Sequence, residues 1–154
     1  MNKKTLLYLG LGSLIGATAL AIIIRKVLVK YRVVKIAKDE WEGWNKPLIG
    51  IDGKLKNKGG FEADRGYSAT FISWIMKKAG AGNKFIYNAS HSKYITDSIA
   101  NRKNGKYNES FVGYKINEVA PKVGDLVCYT RQKGVDYDTK GSYKSHCDLV
   151  VKKS

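Results

Sequence analysis

An uncharged run near the start of the chain is the feature that most limits how this sequence can fold. Residues Thr5–Ile24 read TLLYLGLGSLIGATALAIII and contain no charged side chain. As a helix, a run of this length rises about 30 Å, which is the thickness of a bilayer core. Arg25 and Lys26 close the run. We therefore predict a single-pass membrane anchor within residues 1–30 and a folded domain over residues 31–154.

Two other interpretations of the run stay open. A cleaved signal peptide fits the small-x-small pattern of Ala17-Thr18-Ala19, although the apolar run continues past it to Ile24. A buried helix of a soluble protein would have to be apolar on every side. The side of the membrane is also open. Many bases follow the run, and the positive-inside rule would place the domain in the cytoplasm.

The net charge narrows the class of partner. The chain carries 28 Lys and Arg against 13 Asp and Glu, a formal charge of +15. Five of these bases and no acid lie in residues 1–30, so residues 31–154 still carry +10. A basic domain suits nucleic acid, anionic lipid or an anionic cell-wall polymer. The lysines are dispersed and no nucleic-acid motif is present, so nucleic acid is not an expected partner.

The residues after the anchor predict an α+β domain. Residues 27–44 have helical spacing and form either a helix lying on anionic headgroups or simply the first helix of the domain. Residues 47–66 are predicted to form a long loop with at most a short strand. The pattern predicts a helix that begins at Ser68 and ends at Gly80, and a shorter helix near Ser92–Ala100.

Strand patterns fill the C-terminal third. Phe111–Ile116 alternates weakly, whereas Asp125–Thr130 and His146–Val151 read as clear strands. Helices followed by antiparallel strands are typical of an α+β fold.

Three segments carry a resemblance to a known family. They are GYSATFISWIMKKAGAG at 66–82, APKVGDLVCY at 120–129 and SHCDLVV at 145–151. They resemble the NlpC-like branch of the papain-fold cell-wall peptidases, and most of all an uncharacterised bacterial family within that superfamily. The resemblance covers residues 33–151 and implies helices packed on a small antiparallel sheet.

The resemblance implies a catalytic pair. In the related enzymes a Cys opens the first core helix and a His opens a later strand; here Ser68 and His146 stand at those positions. Ser68 is then the expected nucleophile and His146 the general base, with Asp148 or Asp125 beside it. The plainer alternatives are an N-cap for Ser68, contributing ~1 kcal/mol to its helix, and an exposed strand end for His146.

The remaining candidate residues are few. His91 is expected to cap a helix or hydrogen-bond within a loop, with a substrate-groove role as the alternative. Cys128 and Cys147 should lie on paired strands; burial as small apolar side chains is favoured over a disulfide. The cysteine and histidine spacing does not match a zinc site, and no phosphate loop or dinucleotide fingerprint occurs. We expect neither a metal nor a cofactor.

Two departures from the related enzymes bear on activity. Ser68 replaces the usual Cys, and the sequence stops at Ser154, whereas related folds continue with a strand whose polar residue orients the His. The expected function is a membrane-anchored peptidoglycan amide hydrolase using Ser68 and His146. The alternatives are an inactive cell-wall or protein-binding module of the same fold, and a phage-type envelope or lysis protein. The resemblance places the domain outside the cytoplasm.

Overall fold

Three α-helices and two separate two-stranded antiparallel sheets make up the part of the chain that the structure describes. The computed structural model describes residues 3–44, 48–49, 55–56, 68–107 and 111–153, with side chains for 19–42, 68–107 and 111–153. The elements in order are α1 (Lys3–Trp44), β1 (Leu48–Ile49), β2 (Leu55–Lys56), α2 (Ser68–Lys78), a 3-10 turn (Gly82–Lys84), α3 (His91–Lys103), β3 (Leu126–Thr130) and β4 (Ser145–Leu149). The predicted α+β class is confirmed.

The C-terminal half of α1 belongs to the domain core. Val33 is 1% exposed, and Val29, Ile36 and Ala37 pack partly buried against the same cluster. These positions recur at three- and four-residue steps, so they share one face of the helix. Lys30 on that face forms an ion pair with Asp125. Residues 27–44 therefore pack as the first helix of the domain. They continue the N-terminal part of α1 without a break.

The predicted membrane span lies mostly outside the residues with described side chains. Of Thr5–Ile24, only the part from residue 19 onward has them. Within the described part of the chain, no helix is both long enough and apolar enough to cross a membrane.

Helix α2 follows its sequence pattern closely. Ile72, Ile75, Met76 and Ala79 lie at helical spacing, and all four are buried. Gly80 then takes a positive φ of 84°, and the Ala81 amide donates back to the Met76 carbonyl at 3.1 Å. This is the glycine-terminated helix end that the sequence predicted. The other end of α2 begins at Ser68 and so faces the site described below.

The segment after α3 corrects one prediction. Residues 111–116 form no strand, although their alternation suggested one. The Phe111 amide donates to the Lys84 carbonyl and the Gly113 amide to the Ser98 carbonyl at 2.8 Å. A Cβ at Gly113 would lie 2.9 Å from the Ser98 hydroxyl, so a larger residue there would force the Ser98 side chain or the segment to shift. The backbone amides of this segment therefore hydrogen-bond to α3 and to the 3-10 turn rather than to a neighbouring strand.

Strands β3 and β4 pair in the predicted antiparallel arrangement. Their register places Cys128 opposite Cys147 and Tyr129 opposite His146. The two cysteines are joined in a disulfide, with Cys147 buried and Cys128 exposed. The expectation of two buried thiols was therefore wrong. Directly opposed cysteines have Cα atoms close enough for a bond, and the sequence alone does not fix the register that opposes them.

Candidate functional site

A serine and a histidine meet where two helices begin. Ser68 opens α2 and His91 opens α3. The Ser68 Oγ lies 2.8 Å from the His91 Nε2, which is hydrogen-bonding distance. Ser68 is half-buried and His91 is only 6% exposed. The hydroxyl that the sequence marked as a nucleophile therefore contacts an imidazole, but that imidazole is His91 rather than His146.

Tyr94 holds the other side of the His91 ring. Its hydroxyl hydrogen-bonds to the His91 Nδ1. Tyr94 follows His91 by three residues on α3, a spacing that places two side chains on one helix face. The Tyr94 ring is 4% exposed and packs on Phe85, with ring centroids 5.1 Å apart. Packing therefore fixes the tyrosine, and the tyrosine fixes the plane and position of the imidazole.

Two proton arrangements satisfy this chain of contacts. With the His91 proton on Nδ1, the ring donates to the Tyr94 oxygen and accepts from the Ser68 hydroxyl. With the proton on Nε2, both directions reverse. Only the first arrangement leaves a ring nitrogen able to take the serine proton.

Burial keeps the His91 ring uncharged near neutral pH. Desolvation above all, together with the nearby charges of His146 and Arg131, lowers the pKa of His91 to about 4, although Asp148 opposes the shift. Burial likewise raises the pKa of the Tyr94 hydroxyl, which stays protonated. The three side chains thus form a neutral serine–histidine–tyrosine series at physiological pH.

His146 lies beside this series. Its ring packs edge-on against His91, with centroids 5.0 Å apart, and its other neighbour is Tyr129, 5.7 Å away. The His146 Nε2 lies 3.2 Å from the Asp148 Oδ1. Alternation along β4 predicted that these two residues share a face. The structure therefore brings the His146–Asp148 pair next to His91, and His91 is the residue that contacts Ser68.

Asp125, the other carboxylate considered for this role, lies elsewhere. Its carboxylate pairs with Lys30 and accepts a hydrogen bond from the Lys122 amide at 2.9 Å. It therefore ties α1 to the turn before β3. No group of three or more His, Cys, Asp or Glu side chains among the described residues is close enough to hold a metal ion.

The comparison with known families covers this whole region. The family model described as "Uncharacterized protein conserved in bacteria", DUF2272, matches residues 43–154. The chain belongs to this family. The DUF2272 match includes α2, α3, β3 and β4, and hence every side chain of the serine–histidine–tyrosine series. No curated protein and no solved structure gave a significant match.

Sequence reasoning about this DUF2272 domain gave His91 a minor role and missed Tyr94. The signal for Tyr94 was present, because an aromatic hydroxyl three residues after a histidine shares its helix face. The proximity of His91 to Ser68 had no comparable signal. The residues lie on different helices, and the segment between α2 and α3 decides how those helices meet.

Proposed function

We propose that this protein is a serine-dependent hydrolase of amide bonds in peptidoglycan, held at the membrane by its N-terminal helix. The observation that carries the proposal is the 2.8 Å contact between the Ser68 Oγ and the His91 Nε2, with Tyr94 on the far side of the ring. A nucleophile, a base and a group that orients the base is the arrangement required for acyl transfer.

The reaction follows from the arrangement that leaves Nε2 unprotonated. The Ser68 oxygen attacks the amide carbonyl carbon as its proton passes to the His91 Nε2. The resulting imidazolium keeps its Nδ1 proton, which it donates in a hydrogen bond to the Tyr94 oxygen. The tetrahedral intermediate then collapses, the carbon–nitrogen bond breaks, and the amine leaves with the proton from His91. Water attacks the acyl-serine by the same route and releases the acid.

The N-terminus of α2 suits the developing oxyanion. The first amides of a helix have no partner within it, and the helix dipole is positive at that end. Ser68 is the first residue of α2, so the next amides of the helix lie beside its hydroxyl. Such donors stabilise the tetrahedral intermediate.

The orienting group makes this a slow enzyme. A carboxylate beside His91 would stabilise the imidazolium, whereas the protonated phenol of Tyr94 offers only a dipole. The low pKa of His91 has the same consequence, because burial disfavours the charged ring that forms when His91 takes the serine proton. The ring is in the right protonation state at neutral pH but has a weak affinity for the serine proton.

The substrate class and location rest on three supports. The segments at 66–82, 120–129 and 145–151 resemble NlpC-like cell-wall peptidases. The charge of +10 on residues 31–154 favours an anionic polymer. The Cys128–Cys147 disulfide is of a kind that persists in oxidising compartments and agrees with a domain outside the cytoplasm.

The test is covalent labelling of the serine. Full-length protein in detergent solution is treated with a fluorophosphonate, and the adduct is located by peptide mass spectrometry. We expect an adduct on Ser68 and none in Ser68→Ala. Ser142→Ala, in an exposed loop, is the matched control and should label like the wild type. New amino groups should appear when the wild type is incubated with peptidoglycan fragments. Folded wild-type protein without a Ser68 adduct would contradict the proposal.

A second candidate function is recognition without catalysis. The neutral phenol on His91, in place of a carboxylate, favours it. In that case the wild type forms no adduct and releases no amine, while wild type and Ser68→Ala sediment equally well with purified peptidoglycan.

A further inference from the structure

The far end of α3 borders an open cleft that the serine–histidine–tyrosine series does not use. Its volume is about 370 Å³. The lining side chains come from the end of α3, from residues 107–118 and from the loop 131–144; they include Arg102, Lys103, Tyr107, Lys115, Glu118 and Tyr137.

Arg102 is held in a fixed position at this cleft. Its guanidinium lies 4.4 Å from the centre of the Tyr114 ring and donates to the Glu118 carboxylate. The same Nη1 is 3.4 Å from the Tyr137 hydroxyl. A guanidinium fixed by an aromatic face and a carboxylate loses little further freedom when a ligand binds.

Tyr137 forms an aromatic wall with cations around it. Its hydroxyl donates to the Gly113 carbonyl at 2.7 Å, which anchors the ring. The ammonium groups of Lys103 and Lys115 lie 5.8 and 5.4 Å from the ring centre. Lys103 is also paired with Asp138. The cleft therefore places cation and carboxylate side by side next to an aromatic face.

From this chemistry we propose that the cleft binds a glycan that carries carboxylate groups. Aromatic faces accept the apolar faces of sugar rings, and neighbouring donors and acceptors match hydroxyl groups, which both donate and accept. The lining has three cations and two carboxylates, so one positive charge is left for an acid on the ligand. A polymer with a phosphate in every repeat fits less well, because its dense negative charge exceeds the single surplus positive charge and is repelled by Glu118 and Asp138.

One loop connects this cleft to Ser68 and its partners. Arg131, at the start of the loop, lies 5.7 Å from the Tyr129 ring beside His146, while Tyr137 lines the cleft. The two ends of α3 are about 18 Å apart at 1.5 Å per residue. A ligand that reaches both is an extended polymer. This part of the inference rests on the proposed function, since it makes the cleft the glycan subsite of the peptidoglycan hydrolase.

Binding of defined saccharides tests the cleft directly. Full-length Ser68→Ala in detergent solution is titrated by calorimetry with a peptide-free tetrasaccharide of alternating N-acetylglucosamine and N-acetylmuramic acid. The neutral N-acetylglucosamine tetramer and poly(glycerol phosphate) are the comparison ligands. We expect the carboxylated tetrasaccharide to bind about tenfold more tightly than either.

A matched pair of double variants locates the binding. Tyr107→Leu with Lys115→Gln changes two exposed cleft side chains. Tyr31→Leu with Lys93→Gln makes the same changes at exposed positions elsewhere. We expect the cleft pair to weaken tetrasaccharide binding about tenfold and the control pair to leave it unchanged.

The proposal would be overturned if the carboxylated tetrasaccharide did not bind, or if it bound equally well to both double variants. Tighter binding of poly(glycerol phosphate) would also overturn it. Because the titrated protein lacks the serine hydroxyl, these outcomes do not depend on catalysis. Labelling of Ser68 without glycan binding refutes the cleft alone, and glycan binding without labelling refutes the hydrolase alone.

Discussion

The two ends of α3 differ in how they place polar side chains: those at the N-terminal end are buried, whereas those at the C-terminal end are in contact with water. At the N-terminal end, His91 and Tyr94 are almost fully buried and their polar atoms bond to each other and to Ser68. At the C-terminal end, the Lys103 side chain is 49% exposed and forms its ion pair in contact with water. Burial at the first end lowers the pKa of His91 to about 4, whereas the Lys103–Asp138 pair at the second end lies in contact with water. The first environment suits proton transfer and the second suits binding.

The largest effect we predict is loss of stability when the β3–β4 disulfide is removed, since β4 holds His146 against the buried end. The cysteines are separated by 19 residues. Closing a loop of about that length restricts the unfolded chain by about 3 kcal/mol. Cys128→Ser with Cys147→Ser should lose that much in urea unfolding of the full-length protein followed by circular dichroism. Reductant should destabilise the wild type equally and leave the double variant unchanged. A wild type insensitive to reductant would contradict the bond.

A smaller loss is expected for Tyr94→Phe. The substitution keeps the buried ring but removes the hydroxyl partner of the His91 Nδ1. A buried polar group left unpaired costs about 1–3 kcal/mol. Urea unfolding measures this loss, and the fluorophosphonate reaction with Ser68 should slow at the same time. Tyr137→Phe at the exposed end is the matched variant and should leave the reaction rate unchanged. An equal slowing in both variants would remove the distinction between the two ends.

The pH dependence of stability sharpens the same contrast. The pKa of His91 falls from 6.5 in the unfolded chain to about 4 in the folded one, with His146, Arg131, Asp148 and Tyr94 facing the ring. Between these values the unfolded state binds more protons, so stability should fall as pH decreases from 6.5 to 4, by up to about 1.4 kcal/mol per pH unit. The contribution of the uncharged His91 ring to stability is fully present above pH 6.5.

Unfolding free energies measured across this range test that dependence. His91→Gln should flatten the slope, whereas an unchanged slope in that variant would assign the pH dependence to other groups.

The smallest effect belongs to the exposed end. Lys103→Gln breaks the ion pair with Asp138, in which both side chains are about half exposed or more. Exposed pairs contribute about 0.2–1 kcal/mol. Urea unfolding should therefore shift by no more than that, and less at high salt. A loss as large as that of Tyr94→Phe would show that the two ends do not differ as described.

The secondary structure was largely predictable because its signals are local. The apolar stripe from Ile72 to Ala79 and the glycine at 80 determine α2, and two alternating segments determine β3 and β4. The prediction of a strand at Phe111–Ile116 was wrong because the backbone of this segment hydrogen-bonds to other segments, despite its weak alternation. Local patterns carry no information about such bonds.

The site was predictable only in part. Ser68 and His146 were predicted as site residues from their motifs, and in the structure each of them contacts the His91 ring. The contact between Ser68 and His91 depends on how α2 and α3 pack, which no local pattern encodes. The disulfide was missed for a related reason: residue type alone does not distinguish a buried thiol from a bonded one, and the strand register decides between them.

In the proposed reaction His91, and not His146, activates Ser68. The most direct measurement is the rate of fluorophosphonate reaction at Ser68 in full-length His91→Gln and His146→Gln. General-base assistance contributes about 10²–10⁴-fold, so His91→Gln should slow the reaction at least about a hundredfold. His146→Gln should change it only a few fold, because His146 contacts the His91 ring rather than taking the proton. The reverse order, with His146→Gln as the slow variant, would show that His146 rather than His91 takes the Ser68 proton.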